Sequence, residues 1–247
     1  MNADGSGERP IHPPTGGLFP DWSPDGSKIA FSGVLHPGDG DDYVFVMRPD
    51  GTHPTALHVD HTGECEEWSP DGSKLMFCSH WAGPFDVGVM HADGSHLRRL
   101  TDAPGNDYPG AWSPDGERIA FSSLRDGNGE VYVMDADGSN QTRLTHSPAT
   151  YDAPDAWLPD GRIVVASSKE NAPLPDWFVM DPDGTHIRSL PQLRGAEPDR
   201  LAATPHDPGL LTWSCAAAST LPPCKRGRAV SPSRCWRRCE WWPGRRA

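Results

Sequence analysis

Residues 111–123 read A-W-S-P-D-G-E-R-I-A-F-S-S, and after a short charged loop residues 131–144 read V-Y-V-M-D-A-D-G-S-N-Q-T-R-L. Ser113-Pro114-Asp115-Gly116 is a tight turn. Proline presets φ at the first corner, aspartate bonds back to the backbone, and glycine takes the left-handed position. The runs it leads into, Ile119-Ala120-Phe121 and Val131-Tyr132-Val133-Met134, are apolar without the in-out alternation of a half-exposed sheet, so both faces of these strands are expected to be buried. Asp135-Ala136-Asp137-Gly138 is a second turn of the same kind, and Thr142–Leu144 supplies a more polar fourth strand. The phrase therefore encodes a four-stranded antiparallel meander.

The phrase recurs. Its tryptophans are Trp22, Trp68, Trp112 and Trp157, spaced 46, 44 and 45 residues apart, and its second turn returns as R-P-D-G at 48–51, H-A-D-G at 91–94, D-A-D-G at 135–138 and D-P-D-G at 181–184. Four short strands with their turns fill a period of roughly 40 to 50 residues, the length of a propeller blade. One meander cannot bury two apolar faces by itself, but meanders stacked around an axis can. The expected fold class is therefore all-β, a β-propeller.

The recurring W-S-P-D-G, I-A-F-S, V-M-D-A-D-G and R-L-T phrases resemble the repeat of TolB-like propellers, the PD-type relatives of the WD-type blade. The likeness covers residues 1 to about 190. The fourth copy departs from it with Leu158 in place of the turn serine, and the second carries Cys78 and Trp81 after its second strand. The resemblance implies a periplasmic or other extracytoplasmic setting and a role in docking protein partners. No basic-then-apolar start reads as a signal peptide, and no stretch has the apolar length of a transmembrane helix.

The net charge of −12 is unevenly spread. Residues 1–190 carry 12 Lys+Arg against 30 Asp+Glu, whereas residues 191–247 carry 10 against 4. An acidic propeller has no general attraction for DNA or anionic membranes and favours a protein or peptide partner with a basic segment. Nucleic acid, membrane insertion and a cofactor are not expected.

Residues 1–18 are expected to form the last part of a blade, because Ala3-Asp4-Gly5-Ser6 repeats the second turn and Arg9-Pro10-Ile11 stands where a fourth strand follows. Four whole blades fill residues 19–190, with His36–Asp42 a solvated loop in the first. An incomplete ring is one expectation, and closure through the N-terminal strand is the other. Residues 191–212 read as a degenerate blade. Residues 213–247 hold four cysteines, four tryptophans and eight Lys+Arg, and read as a disordered or out-of-frame tail. Their C-x8-C-x10-C-x3-C spacing is a poor match to a zinc site.

In such a blade the strand preceding the S-P-D-G turn is innermost, so the loops that enter it crowd one mouth of the central channel. Those loops and strand starts supply the candidate binding residues His61, Glu64, Glu66, Glu67, Asp107, Tyr108, Tyr151, Asp152 and Asp155. Asp107 and Asp152 each stand five residues before their tryptophan and are expected at equivalent places on neighbouring blades. Three readings apply to this mouth: loop-capping side chains that solvate a rim, a docking surface with tyrosine anchors and acids that select a basic segment, and a metal or sugar site using His61, Glu64 and Glu66. Asp50, Asp93, Asp137 and Asp183 invite a calcium reading, but turn-making accounts for all four.

Catalytic motifs are missing from the sequence, with no G-x-S-x-G elbow, no H-E-x-x-H and no phosphate-cradling glycine loop. The expected function is a non-catalytic protein-interaction scaffold. The alternative is the substrate-gating or binding propeller of an enzyme, either a prolyl-oligopeptidase-like serine peptidase without its catalytic domain or a metal-dependent propeller lyase.

Overall fold

The computed structural model describes residues 18–35, 43–57, 63–81, 83–148, 150–169, 174–193, 201–204 and 207–213, with the side chains of the last two stretches left aside. The expectations for residues 1–17, for the His36–Asp42 loop and for the tail beyond Trp213 lie outside them. The first sheet joins β1 (Leu18–Trp22), β2 (Ile29–Gly33), β3 (Tyr43–Met47) and β4 (Thr55–Ala56). The second joins β5 (Gly63–Trp68), β6 (Lys74–His80), β7 (Phe85–His91) and β8 (Arg98–Arg99). The third joins β9 (Asp107–Trp112), β10 (Arg118–Ser123), β11 (Glu130–Asp135) and β12 (Thr142–Arg143). The fourth joins β13 (Thr150–Trp157), β14 (Ile163–Lys169), β15 (Asp176–Met180) and β16 (Arg188–Ser189). Each is an antiparallel meander in chain order, and a separate pair, β17 (Leu201–Thr204) with β18 (Asp207–Trp213), follows.

The first turn closes as its residues dictate. In the third sheet Gly116 donates its N–H to the Ser113 carbonyl at 2.8 Å with φ of 71°. The Asp115 carboxylate accepts from the Ser113 hydroxyl at 2.5 Å and from the Glu117 N–H at 3.0 Å, while the Ser113 oxygen accepts the Arg118 N–H. The first and second sheets repeat this set around Asp25 and Asp71. In the fourth sheet Leu158 replaces the serine, and the turn loses the hydroxyl's bonds but keeps Gly161 N–H to Leu158 O and Arg162 N–H to the Asp160 carboxylate at 3.2 Å. The freed side chain is 5% exposed and joins Val164, Ala166, Trp177, Val179 and Leu193 in an apolar cluster.

Stacking supplies the core. Residues of β2, β6, β10 and β14 are buried on both faces, and alternate positions of β6 and β10 go to opposite neighbouring sheets. Met76, Val87 and Val89 of the second sheet meet Trp112, Ile119, Phe121 and Met134 of the third. Ala120, Val131 and Val133 of the third sheet meet Trp157, Ile163 and Met180 of the fourth. Trp68, Leu75, Phe77 and Met90 close the first seam against Ala30, Val44, Val46 and Leu57. Trp68, Trp112 and Trp157 are 5–7% exposed in these seams, while Trp22 at the same repeat position is 54% exposed. The first strands β1 and β5, and likewise β9 and β13, also touch directly, and the Asp21 carboxylate accepts the Trp68 backbone N–H at 3.0 Å.

Candidate docking site

Antiparallel order places both glycine turns of every sheet at one end, and Ala136 N–H bonds the Glu117 carbonyl between the two turns of the third sheet. The loops that enter the first strands lie at the opposite end with the starts of the third strands. Asp107 pairs in register with Ser123, Asp152 with Ser167, and Gly63 with Ser79, so these are the same place on three sheets. Both aspartates are fully buried. Asp107 meets Arg125 Nη2 at 3.1 Å, and Asp152 accepts from Thr150 and Ser167 hydroxyls at 2.9 and 2.6 Å. Burial pushes the Asp107 carboxyl above its ordinary range against the pull of Ser123 and Arg125.

The tyrosines differ. Tyr108 is buried against Phe85, with its hydroxyl 2.9 Å from Asn106 Nδ2. Tyr151 is half-buried, and its ring lies where a side chain on Gly129 would project, so that position has room only for glycine. Glu67 and Asp155 are half-buried and each is engaged with a neighbour. His61 lies outside the described residues, and of Glu64 and Glu66 only the backbone is described, within β5.

One shared feature of the first strands was not legible from spacing. Each breaks register with its second strand two or three residues before the tryptophan: Asp155 is skipped between Pro154 and Ala156, Gly110 between Pro109 and Ala111, and one extra residue falls between Glu64 and Glu67 and between Leu18 and Asp21. Such bulges kink a strand and re-aim its side chains. They place Asp155 and the Cys65-Glu66 pair at matching bulges on the innermost strands.

Sequence reading also missed an ionic clasp that ties the short outer strand of two sheets to the third strand. In the third sheet Glu130 is fully buried, accepts from the Thr145 hydroxyl at 2.5 Å, and meets Arg143 Nη2 at 2.8 Å. Thr145 Oγ in turn accepts the Val131 N–H, and the Asn128 amide and Ser147 N–H complete the carboxylate. In the second sheet Asp86, Arg99 and Thr101 take the same parts. The signal was an acid opening the third strand together with R-L-T, at 99–101 and 143–145. The fourth sheet has R-S-L instead, and its Asp176 is exposed, 3.8 Å from Lys169.

The turn end carries the opposite electrostatics. Asp25 and Asp71 are held down to about 2 by the serine hydroxyls and N–H groups of their turns; Asp93, Asp115, Asp137 and Asp183 are lowered by the hydroxyl and N–H groups of theirs, and Asp160 by the Arg162 guanidinium. They are fixed negative charges on exposed loops. Among the described residues no three His, Cys, Asp or Glu side chains are placed to hold a metal ion, and no helix is long and apolar enough to cross a membrane.

Residues 1–202 match the family described as TolB beta propeller domain. A TolB structure from Agrobacterium tumefaciens superposes with a TM-score of 0.59 at 28% identity, over 68% of this chain and 62% of that one. TolB from Acinetobacter baumannii gives 0.58 at 20% identity, over 71% and 43% of the two chains. A nidogen/laminin complex gives 0.56 at 12% identity, over 71% and 65%. Propellers of peptidases and of an oligogalacturonate lyase share the fold as well. No curated relative matches the chain in sequence. The chain thus spans about 62% and 43% of the two TolB structures.

Proposed function

Because this chain belongs to the TolB beta propeller domain family, we propose that it is a non-catalytic scaffold that docks a protein or peptide partner through a basic segment. The observation that carries this reading is the make-up of the mouth where the first strands begin. Tyr151 stands half-exposed there, and the acids Glu67 and Asp155 lie further along the same innermost strands. In the sequence His61 lies in the stretch that leads into β5, and Glu64 and Glu66 fall within that strand. Asp107, Tyr108 and Asp152 lie beneath it and hold its loops in place. A half-exposed aromatic ring gives apolar anchorage at little entropic cost, and acids around it choose a basic partner and speed its encounter. The 30 Asp+Glu against 12 Lys+Arg of residues 1–190 act in the same direction at long range.

The test is binding of a panel of Lys/Arg-rich peptides, with acidic peptides of the same length as controls. Saturable binding of the basic peptides only, weakened by salt and by Glu67→Gln, Asp155→Asn and Tyr151→Ser, is the expected result. Equal binding of acidic peptides, or none of either, overturns it. The enzyme-propeller alternative draws on the fold shared with peptidase and lyase propellers. Saturable binding of a prolyl peptide without turnover, or His61-dependent binding of manganese or zinc with turnover of oligogalacturonate, favours that alternative.

A further inference from the structure

The seam between the second and third sheets buries two carboxylates side by side. Asp86, near the start of β7, and Asp107, the first residue of β9, are both fully buried. Thr101 stands between them. Its oxygen accepts the Val87 N–H at 2.9 Å and lies 3.2 Å from Asp86 Oδ1, and its hydroxyl also faces Asp107. A hydroxyl has one proton and two lone pairs. With one lone pair taken by Val87 and the proton given to Asp86, Thr101 offers Asp107 only a lone pair. An ionised carboxylate has no use for that, whereas a protonated carboxyl does. Asp107 Oδ1 has no hydrogen-bond partner among the described residues, which is costly for a charged, buried oxygen.

The surrounding charges leave room for such a proton. Arg99 Nη2 is 2.6 Å from Asp86 Oδ2 as an ion pair, and its side chain is 36% exposed. Arg125 meets Asp107 Oδ2, but it is shared with Gln141 and lies over the Phe121 and Tyr132 rings. On β6, His80 turns away to the Phe85 ring and the Gly83 carbonyl. On β10, Ser123 stands between Asp107 and Glu130, and its hydroxyl bonds the Asp107 carboxyl and favours the ionised form, a pull that burial exceeds. Glu130, with four donors around it, is the contrasting case of a buried carboxylate whose oxygens are fully met.

We propose that Asp86 and Asp107 hold one proton between them across this seam through Thr101, making the joint between the second and third sheets tighten in acid and loosen as that proton leaves. Burial is the main cause that raises both carboxyls, and the charge of Asp107 adds to the effect on Asp86. A carboxyl raised in the folded state stabilises the fold below its folded pKa and loses that contribution as pH rises through it. One proton released changes the unfolding constant by up to about tenfold per pH unit.

The experiment is urea unfolding of the full chain from about pH 4.5 to about pH 8, a range that spans raised carboxyls above the ordinary aspartate value. It compares wild type with Asp107→Asn, which keeps the shape and removes the charge. The wild type is expected to lose stability with rising pH relative to the variant, whose histidines are the same and cancel. Carboxyl carbon NMR of aspartate-labelled protein is expected to show one aspartate titrating well above the others, absent in Asp107→Asn. An unchanged difference between the two proteins at every pH overturns the proposal. So does the lack of any high-titrating aspartate in the wild type, a reading that stands even if the variant does not fold.

Discussion

Trp22 and Trp112 show how one residue at one repeat position acquires two energetic roles. Trp112 is 5% exposed between the second and third sheets, and Trp22 is 54% exposed. Trp112→Ala is expected to cost about 3–5 kcal/mol, the range for a buried aromatic truncated in a packed core, and Trp22→Ala much less. Urea midpoints of the two variants measure the difference. The turn aspartates act through protons. Asp71 titrates at about 2 in the fold because Ser69 and Ser73 bond its ionised form, so its contribution is present above the unfolded value near 4 and is lost as pH falls toward 2. Asp71→Asn is expected to flatten that acid loss, which unfolding followed between about pH 5 and pH 2 detects.

At the scale of the element, the two-residue outer strands are too short to hold themselves. Short outer strands protect a sheet edge from pairing with other chains, and here two of them are fastened by ion pairs whose carboxylate is fully buried. Glu130→Ala leaves Arg143, Thr145 and Asn128 facing an emptied buried site and is expected to cost about 3–5 kcal/mol. Asp176→Ala in the fourth sheet breaks an exposed pair at 3.8 Å and is expected to stay within about 1 kcal/mol. Hydrogen exchange of β11 and β12 should accelerate in the first variant, with β15 and β16 unchanged in the second. Gly129 is fixed by a different contact, the Tyr151 ring from the neighbouring sheet. Gly129→Ala is expected to destabilise the third and fourth sheets together, and a Tyr151→Ala change in the same chain to recover part of the loss.

For the whole molecule, each sheet owes its stability to its neighbours, so the seams couple them in a row. Loosening the third seam by Trp157→Ala is expected to lower amide protection in both the third and fourth sheets before it reaches the first. Exchange measured sheet by sheet in sub-denaturing urea checks this. The β-propeller was legible because its cause is local and repeated. A turn that needs proline, aspartate and glycine in order, followed by an unalternating apolar run, leaves one solution at a period near 45 residues. The candidate site was legible only in part. Spacing put Asp107 and Asp152 at equivalent places, yet it did not reveal that both would be fully buried, because burial there depends on the neighbouring sheet.

The sequence by itself determined the meander, its turns and the acidic charge, since each follows from residues within a few positions of one another. Tertiary structure decided which tryptophan is open, which acids are buried and which arginine meets which carboxylate. Those outcomes turn on side chains that come from different repeats, such as Thr101 between Asp86 and Asp107, and burial strengthens every charge interaction by removing the water that would screen it.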